Sequence, residues 1–302
     1  MKKQIWTKPY GIKEGFLVGG GLILAGLLLE MSVGPVQWGV FRWPVNAFVL
    51  TGFLCLAAVA FLMREKVYVL RFLGTYKATI PALTYVVVLT GVMGLTRQTE
   101  NGVWLGNMLT FWPFVLIYAY VAFILCIIVL CRLHQMIKNR GVRINDIAFL
   151  LNHFGLFLAM SAATLGNADM QRLKMIAEQD VPEIRAVNQQ GMIVRLPISI
   201  ELKHFVMKTY DDGSPKYFAS ELQVRNKTGK SVRTTVEVNK PVKAAGWNIY
   251  QYGYDTEKGA LSKFSILELV YDPWLPFVYA GVFMMLCGAL CLFALGGRRK
   301  RL

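Results

Sequence analysis

His153 lies inside the apolar run Asp146–Gly166 (DIAFLLNHFGLFLAMSAATLG), and neither other histidine, His134 or His204, falls within such a run. An imidazole in hydrocarbon is costly unless something there uses its nitrogens, so it marks a functional site by default. Two chemistries suit it: proton relay, and metal ligation, with haem iron a common metal for a helix-borne imidazole. The plainer alternative is a histidine that bonds a neighbouring helix's carbonyl and does nothing more. Phe149 and Phe157 stand one turn before and one turn after it, on about the same helical face, and suit a flat ligand. His153, Phe149 and Phe157 are therefore the candidate cofactor-binding residues, with His153 the metal ligand. One straight helix cannot place axial ligands on both faces of a porphyrin, and Met160 shares nearly the same face as His153. The second ligand would be a Met from another helix, a water, or a residue of another protein. Gly155, Ala159 and Ala163 form a separate stripe at four-residue spacing that would let a helix approach closely.

The elements that must position these residues are read from blocked hydrophobicity. The chain has 302 residues and is 55% hydrophobic, too apolar for an ordinary soluble protein of its size. Segments of membrane-spanning length are expected at about 15–34, 47–63, 78–96, 110–131, 146–166 and 274–295. The first is read as an uncleaved anchor, because its apolar run is long for a signal peptide and Pro35 follows the one small-residue stretch that resembles a cleavage site. The net charge of +15 suggests nucleic acid until its placement is examined. Lys2, Lys3, Lys8 and Lys13 precede the first segment. Arg64, Lys66, Arg71 and Lys77 fall between the second and third, and Arg132, Lys138, Arg140 and Arg143 between the fourth and fifth. Arg298, Arg299, Lys300 and Arg301 follow the sixth, whereas the opposite short loops hold only Arg42, Arg97 and Glu100. This positive-inside pattern puts both termini in the cytoplasm of an inner-membrane, multi-pass protein, and the lipid bilayer, not nucleic acid, is the partner of these charges.

Between the last two segments lies a polar stretch, 167–272, on the non-cytoplasmic or periplasmic side by this topology. Its fifteen basic and thirteen acidic residues nearly balance, which argues against a nucleic-acid surface. Period-two alternation, as in Val232, Thr234, Val236 and Val238, predicts antiparallel strands at about 192–210, 215–226, 231–239, 246–255 and 263–271, after a helical or irregular lead-in at 168–188. Turn residues at Asp211–Pro215, Asn226–Gly229, Asn239–Pro241 and Glu257–Gly259 separate them. The aromatic strand residues Trp247, Tyr250, Tyr252 and Tyr254 fill a β-core and its rim, or stack on a flat cofactor or partner. The fold class is an α+β membrane protein with about six transmembrane helices and an exported antiparallel β domain between helices 5 and 6. Its divisions are 1–166, 167–272 and 273–302, the last a transmembrane helix with a basic cytoplasmic tail.

All five cysteines lie in or beside apolar segments, so no disulfide is expected in the exported stretch. No C-x-x-C-H occurs, so the chain is not itself a c-type cytochrome. No nucleophile, paired carboxylate or phosphate loop stands out, and no catalytic residue is assigned.

Val238-Asn239-Lys240-Pro241, Gly246-Trp247-Asn248-Ile249-Tyr250-Gln251 and Tyr271-Asp272-Pro273 resemble the ResB family of cytochrome c biogenesis proteins. So do Tyr210–Phe218 and His153-Phe154-Gly155. The similarity covers about residues 146–295, and the six apolar segments exceed the number usual in that family. The resemblance implies a place in system II cytochrome c maturation, which carries haem across the membrane and joins it to a C-x-x-C-H motif of an exported apocytochrome c. It implies haem as cofactor, and as partners apocytochrome c and a CcsA-like membrane protein whose tryptophan-rich haem-handling motif is absent here. The reading is a haem-handling, accessory subunit of a cytochrome c haem lyase or synthase. The alternative is a structural membrane partner whose β domain docks the synthase or apocytochrome without binding haem.

Overall fold

The structure is a computed structural model that describes residues 8–99, 102–139, 141–212, 214–226 and 228–299, with backbone alone over 295–299. Lys2, Lys3, Glu100, Arg140, Lys300 and Arg301, counted above among the loop and terminal charges, lie outside the described residues, as do the turn residues Gly213 and Lys227. The chain divides into two compact units, Met1–Asp169 with Trp274–Leu302, and Met170–Pro273.

The first unit is helical: α1 (Ile12–Val33), α2 (Val45–Met63), α3 (Tyr68–Leu73), α4 (Tyr76–Leu95), α5 (Trp112–Lys138), α6 (Ile144–Gly166) and α7 (Leu275–Arg299). Among the described residues, six of these helices are long and apolar enough to cross a membrane, all but α3. The most enclosed is α5, whose Ile117, Ile124 and Ile127 are fully buried and against which α1, α2, α4 and α6 pack. Acidic residues serve the helix ends, where free backbone N–H groups favour negative charge. Asp146, in the first turn of α6, accepts the Arg143 N–H at 3.1 Å. Glu30, buried near the end of α1, accepts the Trp112 N–H at the start of α5 at 3.1 Å, so a carboxylate of one helix caps another.

The second unit is one antiparallel sheet of β1 (Gln171–Glu178), β2 (Glu183–Asn188), β3 (Ile193–Thr209), β4 (Pro215–Asn226), β5 (Ser231–Glu237), β6 (Val242–Ala244), β7 (Trp247–Tyr254) and β8 (Phe264–Tyr271). The strand order is β5-β4-β3-β2-β1-β8-β7-β6. Pairing of Gln171 with Tyr271 makes the first and last strands neighbours, so the unit begins and ends at one place. Alternate residues of several strands, among them Leu173, Ile200, Leu222, Ile249 and Leu267, form one core. Between β2 and β3 the register jumps from Arg185↔Arg195 to Glu183↔Ile200. Pro197 lies in that interval, where a residue with no N–H removes no regular ladder bond. At the β4–β5 turn, Asn226 Oδ1 accepts the N–H groups of Thr228 and Lys230, and Gly229 takes φ +81°, a conformation that favours glycine.

The lead-in expected to be helical or irregular is instead two strands, β1 and β2. In β1 the burial alternates, with Leu173, Met175 and Ala177 inward. Its outward positions carry Ile176 beside Arg172 and Lys174, which blurs the polar half of the pattern. Pairing with β8 along its full length, not its own composition, makes it a strand. The three-residue β6 is too short to show a period and was also not expected.

Candidate functional site

α6 presents three different surroundings on its circumference. The first meets α7 at backbone distance. A Cβ built on Gly155 would stand 2.7 Å from the Gly281 carbonyl oxygen, and one on Gly281 would stand 2.7 Å from the Ala159 nitrogen. Gly155 and Ala159 of the expected small-residue stripe therefore admit α7, while Ala163 is exposed. The second face enters the bundle core. Phe157 is buried there, and its ring lies parallel to that of Phe53 of α2 at 6.4 Å. Met160 packs partly buried against the same cluster.

The third face carries His153, which is half-buried. Its ring stacks on Phe149, centroids 3.9 Å apart and planes 18° from parallel. His153 Nδ1 lies 2.9 Å from the Phe149 carbonyl oxygen. A carbonyl only accepts, so Nδ1 carries the hydrogen, and in the neutral ring Nε2 keeps its lone pair. Among the described residues Nε2 has no hydrogen-bond partner. A metal-binding histidine is commonly held in this way, one nitrogen tied to a carbonyl and the other offered. The Arg132 guanidinium also stands over Phe149, 5.1 Å from the ring centroid, and it pairs with Asp146 at 2.5 Å. Asp146, Arg132, Phe149 and His153 thus form one continuous row from the α6 N-terminus inward.

Of the three residues expected to line a cofactor site, the structure brings His153 and Phe149 together and places Phe157 against Phe53 in the core. His134 lies on the exposed side of α5, edge-on to Phe61 at 5.7 Å, and His204 is an exposed residue of β3. No cluster of three metal-ligating side chains occurs among the described residues. What the helical unit presents here, among the described residues, is a single imidazole nitrogen with a free lone pair.

Sequence reasoning missed a polar junction at the far end of α6. Asp169 accepts three hydrogen bonds of 2.7 Å, from the Trp43 N–H, Asn46 Nδ2 and Trp274 Nε1. Asn46 is 0% exposed and also donates to the Leu165 carbonyl. Burial pushes the Asp169 carboxyl up, and these donors together with Arg42 outweigh it, so the group sits below the ordinary carboxylate range. The junction ties the starts of α2 and α7 to the end of α6. Its available signal was a set of polar residues, Asn46, Asp169 and Trp274, at the matching ends of three apolar segments.

Residues 139–263 match the ResB-like family. The chain therefore carries a ResB-like region, from the histidine-bearing helix through most of the sheet unit. Over 102 residues it is 32% identical to a protein of Prochlorococcus marinus named cytochrome c biogenesis protein CcsB, covering 33% of this chain and 23% of that one. Over 119 residues it is 29% identical to a protein of the same name from a Synechococcus species, covering 39% and 26%. The match thus spans about a quarter of the length of these relatives. A solved cytochrome c haem lyase, CcmF, aligns over 94% of this chain and 46% of its own at 13% identity, with a TM-score of 0.41, too low to establish a common fold.

Proposed function

We propose that this chain serves cytochrome c maturation as a haem-handling membrane subunit, in which His153 would hold the haem iron and a CcsA-like partner would supply a second ligand. The observation that carries the reading is the state of His153: Nδ1–H given to its own helix, Nε2 unbonded, and the ring half-buried on Phe149. The ResB-like region and the names of its relatives support the same direction. The positive-inside pattern supports cytoplasmic termini and an exported sheet unit that would receive apocytochrome c. Bound haem would supply the iron and the vinyl groups that react with cysteine thiols. The part of this chain's residues would be to hold and orient it: His153 would ligate, with its imidazole plane fixed on Phe149 and Phe149 braced by the Asp146–Arg132 pair. Phe157, buried against Phe53, would stiffen the helix rather than touch the macrocycle.

The test is co-purification of the full chain with a CcsA-like partner, with haem measured per mole of complex. The His153→Ala variant is expected to carry at least about tenfold less haem, partly restored by added imidazole, with unchanged helicity. Haem content and cytochrome assembly unaffected by His153→Ala would overturn the reading in favour of a docking protein that binds no haem. A complete bis-histidine spectrum from this chain alone would overturn the shared-ligand part.

A further inference from the structure

A cavity of about 480 Å³ opens among α2, α5 and α6, with Met284 of α7 also in its wall, on a face of α6 that excludes His153. Ala57 and Ala58 of α2, Cys126 and Leu130 of α5, and Leu150 and Phe154 of α6 line it, and its wall is almost wholly apolar. It is a groove open on one side rather than an enclosed void, so whatever surrounds the helices can enter it. It has the volume of a ligand site but none of the convergent polar groups that orient a polar ligand.

Its length and position identify the occupant. Along α6 the lining runs from Ile147 to Phe157, about 15 Å at 1.5 Å per residue. That is half of a hydrocarbon core about 30 Å thick, the depth of one leaflet. The lower end lies at the basic ends of the helices. Leu133, five residues before the end of α5, and Ile147, in the first turn of α6, mark it. Lys138 and Arg143, both exposed and in no ion pair among the described residues, stand just beyond. Arg132, beside Leu133, spends one nitrogen on Asp146 while its Nε is buried without a hydrogen-bond partner among the described residues.

We propose that this groove is a specific seat for one acyl chain of an anionic phospholipid, whose phosphate meets Lys138 and Arg143. The alanines of α2 create the space, and a larger side chain there would fill it. The seat is independent of the haem reading, since no residue of the His153 row lines it.

Native mass spectrometry of the detergent-purified full chain, titrated with phosphatidylglycerol or with phosphatidylcholine of the same chains, tests it. One tightly retained phosphatidylglycerol is expected. Ala58→Trp, at a position exposed to the groove, should lower its retention at least about fivefold. Lys138→Gln with Arg143→Gln, two surface changes that leave the core untouched, should lower it roughly tenfold or more without altering retention of phosphatidylcholine. Equal retention of the two lipids by the unaltered chain would overturn the anionic preference. Unchanged retention in Ala58→Trp would overturn the seat itself. Neither result bears on haem, which His153→Ala alone reports.

Discussion

In the sheet unit the large fully enclosed side chains are apolar, such as Ile200, Leu202, Leu222, Leu267 and Leu269, and the polar groups enclosed with them, Ser220 and Ser265, bond each other. In the helical unit buried positions include Asn46, Glu30 and Asp146, and glycines meet across the α6–α7 seam, while Leu28, Leu290 and Phe293 face outward. Both units enclose large apolar side chains, Ile117, Ile124 and Ile127 among them in the helical unit. The difference lies in the charged carboxylates that the helical unit buries and the many leucines it leaves outside, and it follows from the two solvents. Water drives leucine inward. Hydrocarbon is as apolar as leucine, so a membrane helix gains little by hiding one and gains more from close backbone approach and paired polar groups. The lone imidazole of α6 belongs to the second regime, and its unused lone pair is the property on which the proposed haem ligation rests.

The sharpest way to break this comparison is one truncation made in both units. Leu267→Ala, at a site 0% exposed, is expected to cost about 2–5 kcal/mol. Leu290→Ala on α7, at a site 68% exposed, should cost less than about 0.5 kcal/mol. Hydrogen exchange of the full chain in micelles reads both, and equal losses would end the contrast. Next in size is the α6–α7 seam. Gly281→Leu places a Cβ 2.5 Å from the Gly155 carbonyl oxygen and should destabilise the helical unit by about 1–3 kcal/mol, seen as a lower thermal midpoint. Gly52→Ala on α2, with nothing within 4 Å of its added Cβ, should be neutral or slightly stabilising.

The smallest effect is acid sensitivity. In the sheet unit the Arg185 guanidinium, bonded to Glu183, holds that carboxyl down to about 2. In the helical unit Asp169 is also held below its ordinary value. Both depressed carboxyls contribute stability at pH above the unfolded values and lose it as pH falls through the folded ones, for Glu183 between about 4.5 and 2. The Glu183 loss should stay within about 1 kcal/mol, because its arginine is exposed. Asp169→Asn should remove the acid response of the α2–α6–α7 junction and leave that of the sheet unit unchanged. Exchange rates near residues 43–46 that still rise on acidification in this variant would assign the response elsewhere.

The six apolar helices were legible because hydropathy over about twenty residues is a local property. So were the five later strand regions, whose alternation and turn residues lie within each segment. β1 was not, because its outward Ile176 hides the period and only its pairing with β8, ninety-odd residues on, completes it. The site divided in the same way. That Phe149 and His153 share a face follows from helical spacing. That Phe157 turns to the core follows from Phe53 on another helix, and the Asp169 junction joins residues that are far apart along the chain.

By itself the sequence determined where the six long apolar helices run, that the second unit is β-rich from about residue 192 onward, and that one imidazole sits within an apolar helix with a phenyl ring a turn away. Each of these is written in spacing along one segment. Tertiary structure alone decided which side of α6 meets α7, which phenylalanine is enclosed, and where the apolar cavity opens. Those outcomes depend on how the surfaces of different helices fit, and no single stretch of chain encodes that fit.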